Sequence, residues 1–498
     1  MSIFGDFNMT KLRFRTSLIL ASCLSTAFVV GCASADLGGI DSSTKDEINS
    51  LMAERSKQVL AKTDAQNAST VIANEEALLV KPYEKQASAV VLSGDLTLKD
   101  CVELALMHSI ELVKQELSLE KAAAETRQAF YSVFPKLNLS ADANTLTPYD
   151  DSDKESYDLK LTLTQPLWQG GAIASAYRYA NYEYEKTRLA VWKQKEKVLH
   201  NVASLYYEIL LKQELVAVYK SAVEVSERLY TTTKTKLEGG TVSRYEVLRA
   251  EVEVANSKAE LIREENELNE LKLALYNAMG VSQESNTTFA DKLELDDAAA
   301  IDVSTANSQA LNNRVELLSA MCDVKKAEES VTLVRSEYRP HINLYGSGSY
   351  GNSRGAASDW EDEWQMGVSA SMPIFDGFGR SHKLAAARAE LRKAQAELLL
   401  QEKNVLTETA NAIMQLSYAD RYYESQKKNK ELSEEVLRMV DEGFKVGKNT
   451  QIEVLDARSA LTEAAGSYYR SIFTIKQARL NYNLAIGNMN AEAIGLGK

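Results

Sequence analysis

From 157 to 164 the chain alternates without a fault. Tyr157, Leu159, Leu161 and Leu163 are apolar, and Asp158, Lys160, Thr162 and Thr164 are polar. A period of two marks a strand with one greasy face. The alternation returns at Trp364, Met366, Val368 and Ala370, interleaved with Gln365, Gly367, Ser369 and Ser371. Partner segments lie at 137–144 and 342–350, across polar loops, which predicts two β-hairpins over 137–167 and 342–374. Elsewhere the pattern is helical. A helix is expected from Leu98, with Thr97 as N-cap, to about Ser132, where Pro135 stops it. Residues 172–237 predict one unbroken helix of roughly 65 residues, a rod of about 100 Å. Gly239-Gly240 breaks it, and a returning helix runs to Gly280.

The chain is written twice. Phe134-Pro135-Lys136-Leu137-Asn138-Leu139 returns as Arg339-Pro340-His341-Ile342-Asn343-Leu344, and Gln165-Pro166-Leu167-Trp168-Gln169-Gly170 as Met372-Pro373-Ile374-Phe375-Asp376-Gly377. The correspondence continues from Glu246-Val247-Leu248 to Glu453-Val454-Leu455 and from Ala278-Met279-Gly280 to Ala485-Ile486-Gly487. The second copy carries a two-residue insertion in its hairpin. Four of the six prolines bracket the two hairpins. Self-similarity over such a length means one structural unit used twice. The expected organisation is a signal segment 1–31, a tether 32–95, a first repeat 96–280, a linker 281–306, a second repeat 307–487 and a tail 488–498, with helical turns near 239–246 and 447–456.

A two-faced hairpin is not stable alone, and four strands cannot close a barrel, which needs about eight. A soluble half-buried sheet would also alternate. The pattern fits a membrane barrel, with Leu159, Leu161, Leu163, Met366 and Val368 towards lipid, Lys160, Thr162, Thr164, Gln365 and Ser369 towards a wet lumen, and Tyr157, Trp168, Tyr350, Trp364 and Phe375 as an aromatic girdle. Three chains would supply twelve strands. Rods with Leu, Ala and Val on one side and Glu, Lys and Arg on the other must pack as a coiled-coil wall. The fold class expected is mostly α with a membrane β-barrel, a trimer whose barrel continues as a helical tunnel.

The ends and the composition bear on location. Lys11, Arg13 and Arg15 precede an apolar run over 17–30, too short to span a bilayer, which reads as an export signal. Val29-Val30-Gly31-Cys32 resembles a lipobox, making Cys32 the candidate lipidated residue, while Ala33-Ser34-Ala35 offers an ordinary cleavage site instead. The net charge of −13 argues against nucleic acid as a partner. Cys101 and Cys322 fall at different heights of equivalent helices and are expected to be buried thiols rather than a disulfide. The four histidines are scattered, and neither metal-ligand spacing nor a nucleophile or phosphate-binding motif occurs. No enzyme activity, cofactor or metal is expected.

These residues resemble the TolC family of outer-membrane export channels over about 96–487. The most specific stretches are Gly447-Lys448-Asn449-Thr450-Gln451-Ile452-Glu453-Val454-Leu455-Asp456-Ala457 and Gly240-Thr241-Val242-Ser243-Arg244-Tyr245-Glu246-Val247-Leu248. Ser109-Ile110-Glu111-Leu112 and Arg314-Val315-Glu316-Leu317 match the family's helix openings. The resemblance implies a passive homotrimeric exit duct in the outer membrane of a Gram-negative bacterium, with its tunnel in the periplasm. It implies as partners outer-membrane lipid, a periplasmic membrane-fusion adaptor and an inner-membrane pump of the RND or ABC type. The tips that would receive the adaptor are Gly240, Thr241, Val242 and Ser243 in one copy and Gly447, Lys448, Asn449 and Thr450 in the other. The acidic constriction falls on Glu453 and Asp456; without the resemblance these would be an ordinary solvated helix end. The family's latch joins a tyrosine and an arginine of the second tip to an acid of the first. The acid is Glu246, but the other positions hold Phe444 and Asn449, so that latch cannot form. A differently wired gate is expected, with Arg244 or Arg249 as candidates. The competing readings are a periplasmic adaptor, which would carry one hairpin and a lipoyl-like domain, and a coiled-coil lipoprotein without a pore.

Overall fold

The computed structural model describes residues 92–146, 154–284, 286–295, 303–352, 360–446 and 448–489. The signal segment, Cys32 and nearly all of the tether lie outside the described residues, as does Gly447. The elements run β1 Ser93–Leu96, α1 Leu98–His108, α2 Ile110–Tyr131, β2 Lys136–Leu146, β3 Lys154–Trp168, α3 Ala172–Glu238, α4 Arg244–Met279, β4 Asn286–Phe289, α5 Val303–Asn313, α6 Val315–Ser336, β5 His341–Asn352, β6 Glu361–Ser371, α7 Gly379–Lys445 and α8 Gln451–Ala485. The two longest helices have 67 residues each, about 100 Å of rod. Among the described residues no helix is long and apolar enough to cross a membrane.

β2, β3, β5 and β6 form one antiparallel sheet, paired in that order. Leu137 lies opposite Leu163 and Leu139 opposite Leu161. Leu163 in turn faces Gly346, and Gly346 faces Met366. The apolar positions of all four strands therefore share one face, and Asn138, Thr162, Ser347 and Gln365 share the other. On the apolar face large side chains lie beside glycines. The Trp364 ring covers Gly348, where a Cβ would come within 2.7 Å of it. β3 carries Pro166 near its end, and the ladder to β5 shifts register between Pro166 and Trp168.

Below the sheet the helices stand side by side: α2 packs on α3, α3 on α6 and α6 on α7. Further down the neighbours are α4 on α3, α3 on α8 and α8 on α7. The principal core sits where α1, α3, α4, α8 and the small sheet meet, around Tyr206, Ile209, Leu215, Leu275 and Met279. Tyr206 stacks edge-on against Phe289 at 5.6 Å and donates to Asp291 at 2.6 Å. Leu92, Leu98 and Met489 belong to this same core, so both ends of the described chain pack on it.

Three features depart from the sequence expectation. The first helix does not run through to Ser132 but breaks at Ser109, whose backbone is extended. The break lets Gly280, at φ +71°, close on the carbonyl of His108, where a Cβ would meet that oxygen at 2.3 Å. The second copy repeats the device, with Gly487 against Asn313 and with Arg314 donating to the carbonyls of Leu484 and Ala485 at the end of α8. Residues 281–306 are more than a connector, because β4 pairs in parallel with β1. β1 itself falls in the stretch read as tether. Cys101 and Cys322 are free and buried.

Candidate functional site

The two helical turns are built by the same local chemistry. After α3, Gly240 takes φ +73°, its amide donating to Leu237 at 2.9 Å while that of Thr241 donates to Lys236 at 2.9 Å. Only glycine adopts such a conformation without strain. Ser243 then caps α4 in a capping box with Glu246, the Ser243 amide donating to the carboxylate at 2.9 Å. After α7, the amides of Lys448 and Asn449 both return to the Gly443 carbonyl, at 2.8 and 3.3 Å. Thr450 caps α8 with Glu453, its amide donating to the carboxylate at 2.7 Å. Such reciprocal caps satisfy backbone donors that a helix start otherwise leaves open.

Glu453 and Asp456 are both exposed on the same side of α8, while Val454, Leu455 and Ala457 turn inward. Spacing i, i+3 puts the two carboxylates on one face. Glu246 is engaged in capping its own helix and meets neither Phe444 nor Asn449. The Asn449 side chain instead lies over Gly443, where a Cβ would sit 2.0 Å from its amide oxygen. Arg249 is half-buried and Arg244 exposed, and neither forms an ion pair among the described residues.

What joins the two copies at this end are contacts the sequence did not predict, made by the gate position Phe444 and the tip-motif residue Gln451 with partners, Lys236 and Thr233, that were not among the candidates. The Lys236 ammonium sits 4.7 Å above the Phe444 ring. Gln451 donates to Thr233 at 3.3 Å, linking α8 to α3. Arg458 pairs with Asp441 at 3.3 Å within the second copy. A signal was present in the duplication: Lys236 corresponds to Gly443 and Gln451 to Arg244, so these are places where the two copies part company. Among the described residues no cluster of three or more His, Cys, Asp or Glu is arranged to hold a metal ion.

The family model for outer membrane efflux proteins matches residues 101–281 and again 306–487. The chain belongs to the outer membrane efflux protein family. The two matches fall one on each helix–hairpin–helix unit, so the family's pattern describes a single unit and this chain carries it twice. Among individual relatives, the chain is 22% identical to nodulation protein T of Rhizobium leguminosarum bv. trifolii, covering 79% of this chain and 86% of that protein. It is also 22% identical to the outer membrane protein TolC of Salmonella enteritidis, covering 80% and 85%. In fold it is similar to the solved structure of CusC, with a TM-score of 0.70 at 16% identity over 79% of this chain and 92% of that one.

Proposed function

We propose that three copies of this outer membrane efflux chain join their sheets edge to edge into one twelve-stranded barrel, and that their helices continue it through the periplasm as a passive exit duct. The observation that carries this reading is the sheet. On one face Leu137, Leu139, Leu159, Leu161, Leu163, Trp364, Met366 and Val368 are all exposed, and the outer strands β2 and β6 each have a partner on one side only. In lipid every backbone donor and acceptor must be satisfied, which leaves a closed barrel as the sheet form that works. The helices point the same way. Exposed Tyr245, Leu248, Val252 and Ile262 on α4, and Met414, Tyr418, Leu432 and Met439 on α7, are apolar stripes at coiled-coil spacing with no cover in one chain.

In this reading residues 96–280 and 307–487 are the two wall units. Cys32 carries a lipid anchor, and the turns at Gly240, Thr241, Val242 and Ser243 and at Gly447, Lys448, Asn449 and Thr450 receive a periplasmic adaptor. An inner-membrane pump of the RND or ABC type supplies the energy. Glu453 and Asp456 of three chains ring the narrow end and favour cations over anions there. The gate rests on Lys236 against Phe444 and Gln451 against Thr233, with Arg249 reaching across to a neighbouring chain. The test is direct: outer-membrane fractions should yield heat-resistant trimers, and the purified protein should give discrete single-channel conductance in planar bilayers. A monomer that stays soluble without detergent and leaves bilayers impermeable overturns the reading.

A further inference from the structure

The helical turns nearest the sheet differ in charge from the rest of the chain. Residues 122–131, 172–181, 327–339 and 376–388 hold seven arginines and lysines against five acids, where the whole chain has 57 against 70. Each of those acids is taken. Glu125 pairs with Lys121, Glu328 with Lys325, Glu329 with Arg178, Glu337 with Lys383 and Asp376 with Arg380. Arg339 donates to the carbonyl of Gly170 at 3.0 Å. Arg127, Arg335 and Arg388 remain, all exposed and without an ion pair among the described residues.

These three share one side of the wall. On α3, Tyr206 marks the side that carries α1 and the small sheet, through Phe289 and Asp291. Asn181 stands about seven turns above it on the same face, and Arg388 is the residue of α7 that corresponds to Asn181. Glu183, two residues on, points nearly the opposite way and pairs there with Lys326 of α6. Arg335 follows Lys326 by about two and a half turns, which returns it to the Tyr206 side. Arg127 corresponds to Thr332, about one turn before Arg335. A tube of such walls can carry α1 and the small sheet only on its outside, since inside they would fill the bore.

We propose that Arg127, Arg335 and Arg388 of the three chains form an outward collar beneath the barrel that binds the phosphates of anionic phospholipids in the leaflet nearest the helices. The inference rests on the barrel proposed above and names the lipid it meets. The heights agree. Arg335 lies in the last turn of α6, Arg127 about 6 Å below the end of α2 and Arg388 about 13 Å below the start of α7. Side chains lean towards a helix N-terminus, so Arg388 reaches up towards the sheet while Arg127 and Arg335 reach down, and all three meet one band. The turn between β6 and α7 beside that band is apolar: Ile374, Phe375 and Phe378 are 94%, 74% and 67% exposed. Phe378 is held at φ +68°, the sole non-glycine residue at positive φ among the described residues, where the first copy has Gly171. An exposed ring kept on a strained backbone needs support from outside the chain. Apolar side chains beside a band of cations are the profile of a membrane interface. Arginine suits a phosphate because its planar fork donates two parallel hydrogen bonds. A zwitterionic headgroup carries its own ammonium and gains less from the same collar.

The test uses the full chain, reconstituted in phosphatidylcholine alone or mixed four to one with phosphatidylglycerol, and reads the temperature at which trimers dissociate. Phosphatidylglycerol should raise that temperature by several degrees, and high salt should shrink the gain. Arg127→Gln, Arg335→Gln and Arg388→Gln together should remove most of the gain. The gain is a difference within each variant, so a change in intrinsic stability cancels. Lys234→Gln, Lys427→Gln and Lys428→Gln together remove three equally exposed cations far down the rods and should leave the gain intact. Inorganic phosphate added to phosphatidylcholine vesicles should give none. The collar falls if the wild type gains nothing from phosphatidylglycerol, if the arginine variant keeps the gain, if the distal variant loses as much, or if free phosphate reproduces it. Trimers that still conduct in any of those cases leave the duct standing. A chain that yields neither trimers nor conductance sinks both.

Discussion

Lys212 and Glu264 show what a single position costs in a wall of helices. Glu264 is 2% exposed and accepts from Lys212 at 2.8 Å, while Lys212 also reaches Glu267. The corresponding residues of the second copy are Ala419 and Ser471, both fully buried. Removing one partner of a buried pair strands the other charge, at about 3–5 kcal/mol, whereas replacing both is often near neutral. Lys212→Ala alone should therefore lower the thermal midpoint markedly. Lys212→Ala with Glu264→Ser, which copies the other repeat, should recover most of it, as read by circular dichroism. Burial pushes the Glu264 carboxyl up, but hydrogen bonds and charge from Lys212 and Arg263 outweigh it and hold it below its ordinary 4.5. A depressed carboxyl stabilises the fold above its unfolded value, so this contribution is intact at neutral pH and fades as pH falls below 4.5. The wild type should lose stability over that acid window, and the double variant should lose less. Burial, reinforced by nearby acids, pushes the Cys101 thiol up to about 12 and that of Cys322 to about 11. Neither should react with a maleimide at pH 8 until the protein is unfolded.

At the scale of elements, the sequence carries the strands and the long helices because each depends on its own periodicity. Alternation at 157–164 is enough for a strand, and a run without proline or paired glycine is enough for a rod. The break at Ser109 is invisible in that way. Its flanks are good helix residues, and what it accommodates is Gly280, distant in sequence, closing on the His108 carbonyl. β1 and β4, four residues each, are too short to show a period. The tip contacts of Lys236 with Phe444 and Gln451 with Thr233 depend on which helices stand side by side, which no local pattern states. Gly280→Ala should be among the more damaging single changes outside the core, since the new methyl would strike backbone rather than a flexible side chain. At positive φ alone it loses about 1–2 kcal/mol. Limited proteolysis near 281–295 should rise in that variant. At the tip, Lys236→Ala removes a partly exposed cation–π contact of about 0.5–1 kcal/mol. It should raise the open fraction in single-channel records with little change in thermal midpoint.

At the scale of the whole molecule, the two faces of the sheet should answer differently to the same charge. Arg at Leu161 would sit among the exposed apolar side chains, at about 2–4 kcal/mol if it lies near the bilayer midplane. Leu161→Arg should therefore reduce the yield of heat-resistant trimer in outer-membrane fractions. Thr162→Arg, one residue along on the opposite face, should assemble and change conductance instead. A soluble half-buried sheet would also reject arginine at Leu161, but Thr162→Arg would then have no conductance to change.

Met489 shares a core with Leu92 and Leu98, and that shared anchoring has a topological consequence. Either copy is equipped to come first. A circular permutant that keeps residues 1–91 in front, continues with 303–489 and is joined by a short linker to 92–295 would retain every helix and strand. The crossing between the two halves and the 91–92 junction would be cut, and residues 490–498 left out. Its assembly would show that chain order is an accident of where the ring was opened.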